Sequence, residues 1–360
     1  MTDEHSHAAV LAGLGLATLV LLSGCAAQGG GDPADDVPEG VDVVLTVDAD
    51  VVEDETTRSV ANTLLEESVP QSSDDPRTVE GVLEEIEAES DANVSVDELE
   101  SVAVFARTPD EPGGGDVEAD EYAGVILAGE WEREALLDGV RSESDEFRRG
   151  ESYQGTVVYE SVNESTDEVT YLATYDEGRV AFATSRGVVE DVIDVSQGSA
   201  DAFGGELRQA YDQTREDAYV RYAVTVSEQQ RELIGAAAER ASRGAPVDFS
   251  QFATVTAYAG AYYTEGDDVG VSTYLTAEDE DAAERLNQTV GSLIRLGQST
   301  VEPDSPEAEQ LDALSAERDG RSVGIVYEID VETLEELLRE QVDDTAGPPV
   351  AVDPAVAAPS

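Results

Sequence analysis

The stretch that decides the fold runs from Tyr171 to Val195 and reads YLATYDEGRVAFATSRGVVEDVIDV. Apolar and polar residues alternate over Val169–Tyr175 and again over Arg179–Thr184, the period of a half-buried strand. Asp176-Glu177-Gly178 between them is a tight turn, so the two strands form a hairpin. From Gly187 to Val195 the apolar spacing becomes helical. Hairpins followed by helices predict an α+β fold, with antiparallel sheets and helices packed on one face.

Outward from this hairpin, strands are expected at Val41–Val47, Val102–Arg107, Tyr122–Gly129 and Gly155–Glu160. Helices are expected at Val51–Val69, Val79–Ala88, Glu130–Val140 and Phe203–Thr214. The order then restarts. A strand at Ala218–Val226 leads to a helix at Glu228–Ser242, and Phe252–Thr264 with Val269–Thr276 form a hairpin closed by Glu265-Gly266-Asp267-Asp268. A helix at Glu278–Leu296 keeps Ala282, Leu286, Val290, Leu293 and Ile294 on one face. Glu307–Glu317 reads as helix, Arg321–Ile329 as strand and Val331–Glu340 as the final helix.

Two pairs of segments read alike. DVVLTVDADVVEDETTRSVANTLLE (42–66) and YVRYAVTVSEQQRELIGAAAER (219–240) are each strand then helix; GRVAFATSRGVVEDVIDV (178–195) and RSVGIVYEIDVETLEELL (321–338) are strand then helix again. This suggests a tandem duplication, with a first α+β domain over 41–216 and a second over 217–341. Any α+β chain shows some such likeness, so both explanations stand at this level. The Gly-, Asp-, Pro- and Ala-rich residues 25–40 read as a flexible acidic tether, and 342–360, with Pro348-Pro349, as a disordered tail.

Near the start, an apolar run from Ala8 to Leu22 ends in Leu22-Ser23-Gly24-Cys25, which holds the single cysteine of the chain. Fifteen apolar residues are fewer than the about 20 a membrane span needs. A short apolar run closed by small residues is a secretory signal, here residues 1–24. The four closing residues resemble the lipobox of prokaryotic lipoproteins. That resemblance implies that the Cys25 sulfur carries lipid, that Cys25 is the first mature residue, and that the protein sits on the outer face of the cytoplasmic membrane. One feature departs from the pattern: Met1–His7 holds Asp3 and Glu4 and neither Arg nor Lys, and no twin arginine follows.

Charge narrows the functions further. The chain has 81 acidic residues against 20 basic ones, a net charge of −61, and every basic residue is Arg. Such a chain repels itself in dilute buffer, and roughly molar salt removes that repulsion by shortening the screening length to about 3 Å. Acid excess without Lys resembles the proteome style of extreme halophilic archaea. Together with YAGVILAGEWEREAL (122–136) and the stretch that opened this section, the chain is similar to uncharacterised haloarchaeal lipoproteins and to domain-of-unknown-function surface lipoproteins. The same charge excludes nucleic acid, which needs Lys and Arg to displace counterions. Membrane contact is expected through the lipid on Cys25, with an envelope protein as a candidate partner.

Catalytic side chains are scarce. Both histidines, His5 and His7, precede the cleavage site, which leaves no Ser-His-Asp triad and no imidazole for zinc. Without Lys there is no Schiff base and no phosphate-loop lysine. A lipidated Cys25 is no thiolate nucleophile. Gly113-Gly114-Gly115 is flanked by Asp110, Glu111 and Asp116, which repel phosphate. Carboxylate pairs could serve a glycosidase, but none stands out. The acidic groups Asp48, Asp50, Glu53, Asp54 and Asp116, Glu118, Asp120, Glu121 offer oxygen ligands to Ca²⁺ and equally read as solvated faces. Tyr258, Tyr262 and Tyr274 suggest a tyrosine stripe or ordinary cross-strand packing. Three of the four asparagines, Asn93, Asn163 and Asn287, open Asn-x-Ser/Thr sequons and are candidate N-glycosylation sites.

The expected function is therefore a non-enzymatic, lipid-anchored interaction or structural module of the cell envelope, with no cofactor and no metal. A substrate-binding lipoprotein of a transporter is the alternative, and a carboxylate-based glycosidase a weaker one.

Overall fold

Twelve strands hydrogen-bond into one antiparallel sheet, in the order β11-β12-β10-β9-β8-β1-β2-β3-β7-β6-β5-β4. The strands are β1 Val43–Asp48, β2 Leu99–Ala106, β3 Ala123–Gly129, β4 Glu146–Tyr153, β5 Thr156–Asn163, β6 Glu168–Asp176, β7 Arg179–Ala183, β8 Val220–Thr225, β9 Val255–Glu265, β10 Asp268–Ala277, β11 Leu314–Asp319 and β12 Ser322–Asp330. Among the described residues they are accompanied by the helices α1 Glu55–Ser68, α2 Arg133–Ser142, α3 Arg186–Ser196, α4 Gly205–Tyr211, α5 Glu228–Ala241, α6 Glu280–Thr300 and α7 Pro306–Asp312. This computed structural model describes residues 32–68, 78–81, 98–108, 122–142, 144, 146–163, 168–243, 247–301 and 305–336. Cys25, Asn93, the Asp110–Asp120 loop, most of the helix expected at Val79–Ala88 and the tail lie outside the described residues.

The hairpin that opened the sequence analysis is β6–β7, and α3 follows it as its spacing predicts. The alternation of these strands sorts side chains onto two faces. On the front face Val44, Phe105, Ile126 and Ala181 meet Val188, Val189, Val192 and Ile193 of α3 and Leu207, Ala210 and Tyr211 of α4. On the back face Val102, Leu127 and Val180 meet Trp131 and Leu136 and Leu137 of α2. Further along the back, Leu275 and Val323 pack against Ala282, Leu286 and Val290 of α6, the stripe expected from its spacing. Helices thus divide between the two faces, because the apolar residues of β2, β3 and β7 occupy both parities of the strand.

Capping explains where helices begin. Ser227 and Gln230 form a reciprocal capping box at the start of α5, Asp279 accepts from the Ala282 amide at 2.7 Å, and Ser305 with Pro306 opens α7. The helix expected from Val51 starts later: Asp48 caps a short 3-10 turn at Ala49–Val52, and α1 follows at Glu55.

Two strands were missed in the pattern. β4 (EFRRGESY) is charged and lacks alternation, and the helix expected at Glu307–Glu317 stops at Asp312, after which β11 pairs with β12. Both are edge strands, whose solvent-facing side chains carry no apolar signal.

The segment expected as tether also differs. Residues 32–40 pack on the front face, with Ala34 and Val37 fully buried. They fill the gap between α3 and α4, and the Phe203 amide donates to the Val37 carbonyl at 2.8 Å. The halves assigned to 41–216 and 217–341 are continuous through one pairing, β1 with β8, from Val43↔Val224 to Val47↔Val220.

Candidate functional site

The strap 32–40 is local structure before it is a clamp. The Asp32 carboxylate accepts from the Ala34 amide at 2.9 Å and opens a 3-10 turn whose first residue, Pro33, needs no amide partner. This turn aims two carboxylates into the front face. Asp36 pairs with Arg179 of β7 and accepts from the Tyr175 hydroxyl at 2.9 Å; the two ion-pair side chains are only 11% and 14% exposed. Asp32 pairs with Arg221 of β8 at 3.2 Å and accepts from the Tyr211 hydroxyl at 3.0 Å, and that hydroxyl also meets Thr46 at 2.7 Å. Burial and the neighbouring carboxylate hold both phenols protonated, well above the ordinary tyrosine range. Asp36 thus binds the first half of the chain and Asp32 reaches the second.

Arg179 also leads into a cleft of about 490 Å³ at the end of β3 and of the β6–β7 turn. The turn closes tightly there: the Gly129 amide donates to the Gly178 carbonyl at 2.9 Å, and a Cβ on Gly178 would lie 2.0 Å from the Gly129 oxygen. Gly178 also adopts a φ of +70°, which glycine tolerates at no steric cost. Trp131 lies across Gly129, so the only tryptophan of the chain walls the cleft. Glu100, Glu130, Asp176 and Glu177 face Arg133 and Arg179 around it. Burial, then repulsion from Glu130, raises the Glu100 carboxyl above its ordinary range, with Arg179 opposing. The volume is that of a small-molecule site, and the mixed charge suits a small polar solute bearing both signs.

The acidic group after β1 is used in the fold. Asp48 caps the 3-10 turn, and Asp54 accepts from the Thr57 amide at 2.6 Å and from the hydroxyls of Thr264 and Tyr219 at 3.1 and 3.3 Å. Among the described residues no three His, Cys, Asp or Glu side chains converge to hold a metal ion; Asp116, Glu118, Asp120 and Glu121 lie outside them. The tyrosine stripe is split. Tyr258 and Tyr262 share the back face, where they lie 6.3 Å from Tyr222 and 6.5 Å from Tyr219, but the register sets Tyr274 opposite Ala259 and therefore on the front. Asn163 is exposed at the end of β5. Asn287 is half-buried inside α6, and Thr289 of its sequon is buried with its hydroxyl donating to the Asp248 carbonyl. Neither the strap carboxylates nor the cleft was found from sequence. The signals were Pro33 and Pro38 flanking the acids, and the lone Trp131 after Gly129.

Residues 132–294 match a family described as "Protein of unknown function (DUF3352)". The match runs from α2 to α6 and crosses the 216/217 junction, leaving the strap, β1 to β3, β11 and β12 outside. Among solved structures, crystal form III of TP0453 is similar at 10% identity with a TM-score of 0.40, covering 87% of this chain and 100% of that one. Crystal form IV of TP0453 gives 10% identity and 0.41, covering 86% and 97%. No curated protein matches.

Proposed function

We propose that this chain is a lipid-anchored extracytoplasmic protein of a halophilic archaeon, held on the outer face of the cytoplasmic membrane through Cys25. Its sheet is a non-enzymatic interaction or structural module of the envelope. The observation that carries this is Leu22-Ser23-Gly24-Cys25 closing an apolar run, with the single cysteine at the modified position. A body lacking His and Lys supports the absence of catalysis. The strand orders β1-β2-β3-β7 and β8-β9-β10-β12 match step for step and support a tandem duplication. Exposure of Asn163 supports a glycan there over one at Asn287. The test is fractionation: Cys25→Ser leaves the membrane fraction, and a variant that stays there overturns the anchor.

The cleft favours a second reading, a solute-binding lipoprotein. Its ligand would be a small polar molecule held between Arg133 and the acids beside Trp131. A rise in melting temperature with one member of a metabolite panel, lost in Arg133→Ala, supports it; no rise across the panel removes it.

A further inference from the structure

Asp32 is the first of the described residues, and it lies on the front face beside α4. Only seven residue steps separate it from Cys25, about 25 Å at full stretch. Asp32 cannot give length to that span without breaking its bonds to Arg221 and Tyr211. Behind the strap lie the sheet and the back helices, roughly 20 Å of protein at about 10 Å per layer. A connection that had to pass this thickness and also round the sheet end would exceed the span. From this geometry we infer that the body rests on the bilayer through its front face, the surface of the strap, α3 and α4, with α6 and the rest of the back face turned to the exterior. The inference rests on the anchoring of Cys25 proposed above.

Charge on this surface agrees with that placement. In a chain of net charge −61, five carboxylates around the strap and α4 pair with four guanidiniums. Asp32 pairs with Arg221, Asp36 with Arg179, Asp35 and Asp212 with Arg208, and Glu206 with Arg321. Paired charges present little net repulsion to anionic headgroups, which unpaired carboxylates would not.

The partner is thus the bilayer itself, and the surface offered to other proteins is the back. With Cys25 occupied by lipid, one engineered thiol reports one position. Gln209 is exposed on α4 and Glu284 is exposed on α6, on opposite faces. The lipidated full chain carrying Gln209→Cys or Glu284→Cys, labelled with a fluorophore, is reconstituted in molar salt into anionic vesicles with nitroxide-bearing headgroups. Flotation is scored first, then quenching. The expected result is flotation of both, with fluorescence lost at Gln209→Cys and retained at Glu284→Cys. Equal quenching, or loss at Glu284→Cys alone, overturns the orientation while leaving the anchor in place. Failure to float overturns the anchor and the orientation with it.

Discussion

Gly270 and Tyr263 show how this sheet is packed at the scale of single residues. The register sets them directly opposite each other on β10 and β9, and a Cβ on Gly270 would lie 2.2 Å from the tyrosine ring. The same arrangement recurs at Gly124 under Phe105, Gly260 under Tyr222 and Gly324 beneath Tyr274, each pair directly opposed. An aromatic ring lying over a glycine covers exposed backbone and fixes the register. Gly270→Ala should therefore cost about 1–3 kcal/mol by overpacking, read by denaturant titration in fixed molar salt. Gly235→Ala, where the nearest neighbour of an added Cβ is an ordinary 3.5 Å away, should instead stabilise α5 by about 0.5–1 kcal/mol. Equal effects from the two would remove the ring-over-glycine account.

Glu100 supplies a pH prediction at the same scale. Its folded carboxyl is raised by burial and by Glu130, so folding disfavours its charged form. Its stabilising contribution is complete below the unfolded glutamate value of about 4.3 and is lost as pH rises through the folded one. Glu100→Gln should then raise the melting temperature at neutral pH, with the two proteins converging in the acid range. A constant offset at every pH would show that packing, not charge, sets the difference.

At the scale of elements the strap is the least expected piece. DPADDVPEG has the composition of a linker, yet it buries Ala34 and Val37 and carries the most buried ion pair among the described residues. Asp36→Ala should cost about 3 kcal/mol, the loss typical of breaking a buried pair. Amide exchange at Phe203, whose bond to Val37 depends on the strap, should quicken with it. Unchanged exchange would show that the strap is held by its apolar residues alone. β4 and β11 were illegible for another reason: each is an edge strand paired only with the strand that adjoins it in the chain, at Thr156 to Val162 and Ser322 to Tyr327, and its solvent-facing residues show no apolar alternation.

For the whole molecule, the net charge of −61 predicts that the fold depends on salt. With 81 acids and 20 arginines in the chain, self-repulsion grows as the screening length rises from about 3 Å at molar salt to about 10 Å at 0.1 M. Circular dichroism should show loss of structure over that range; an unchanged spectrum would remove the halophilic reading. The sequence by itself determined what depends on neighbours along the chain. Turn residues marked the hairpins, and apolar period distinguished β6 from α3. Only the tertiary structure decided which surface or edge each residue comes to occupy: the join of β1 to β8, the split of the tyrosines between faces, the edge positions of β4 and β11, and the folding of the strap onto Arg179 and Arg221. Backbone periodicity is a local property, whereas register and ion pairing depend on which surface each residue comes to face. In an acidic chain the second kind of information is carried by a few arginines whose position in sequence does not disclose their partners.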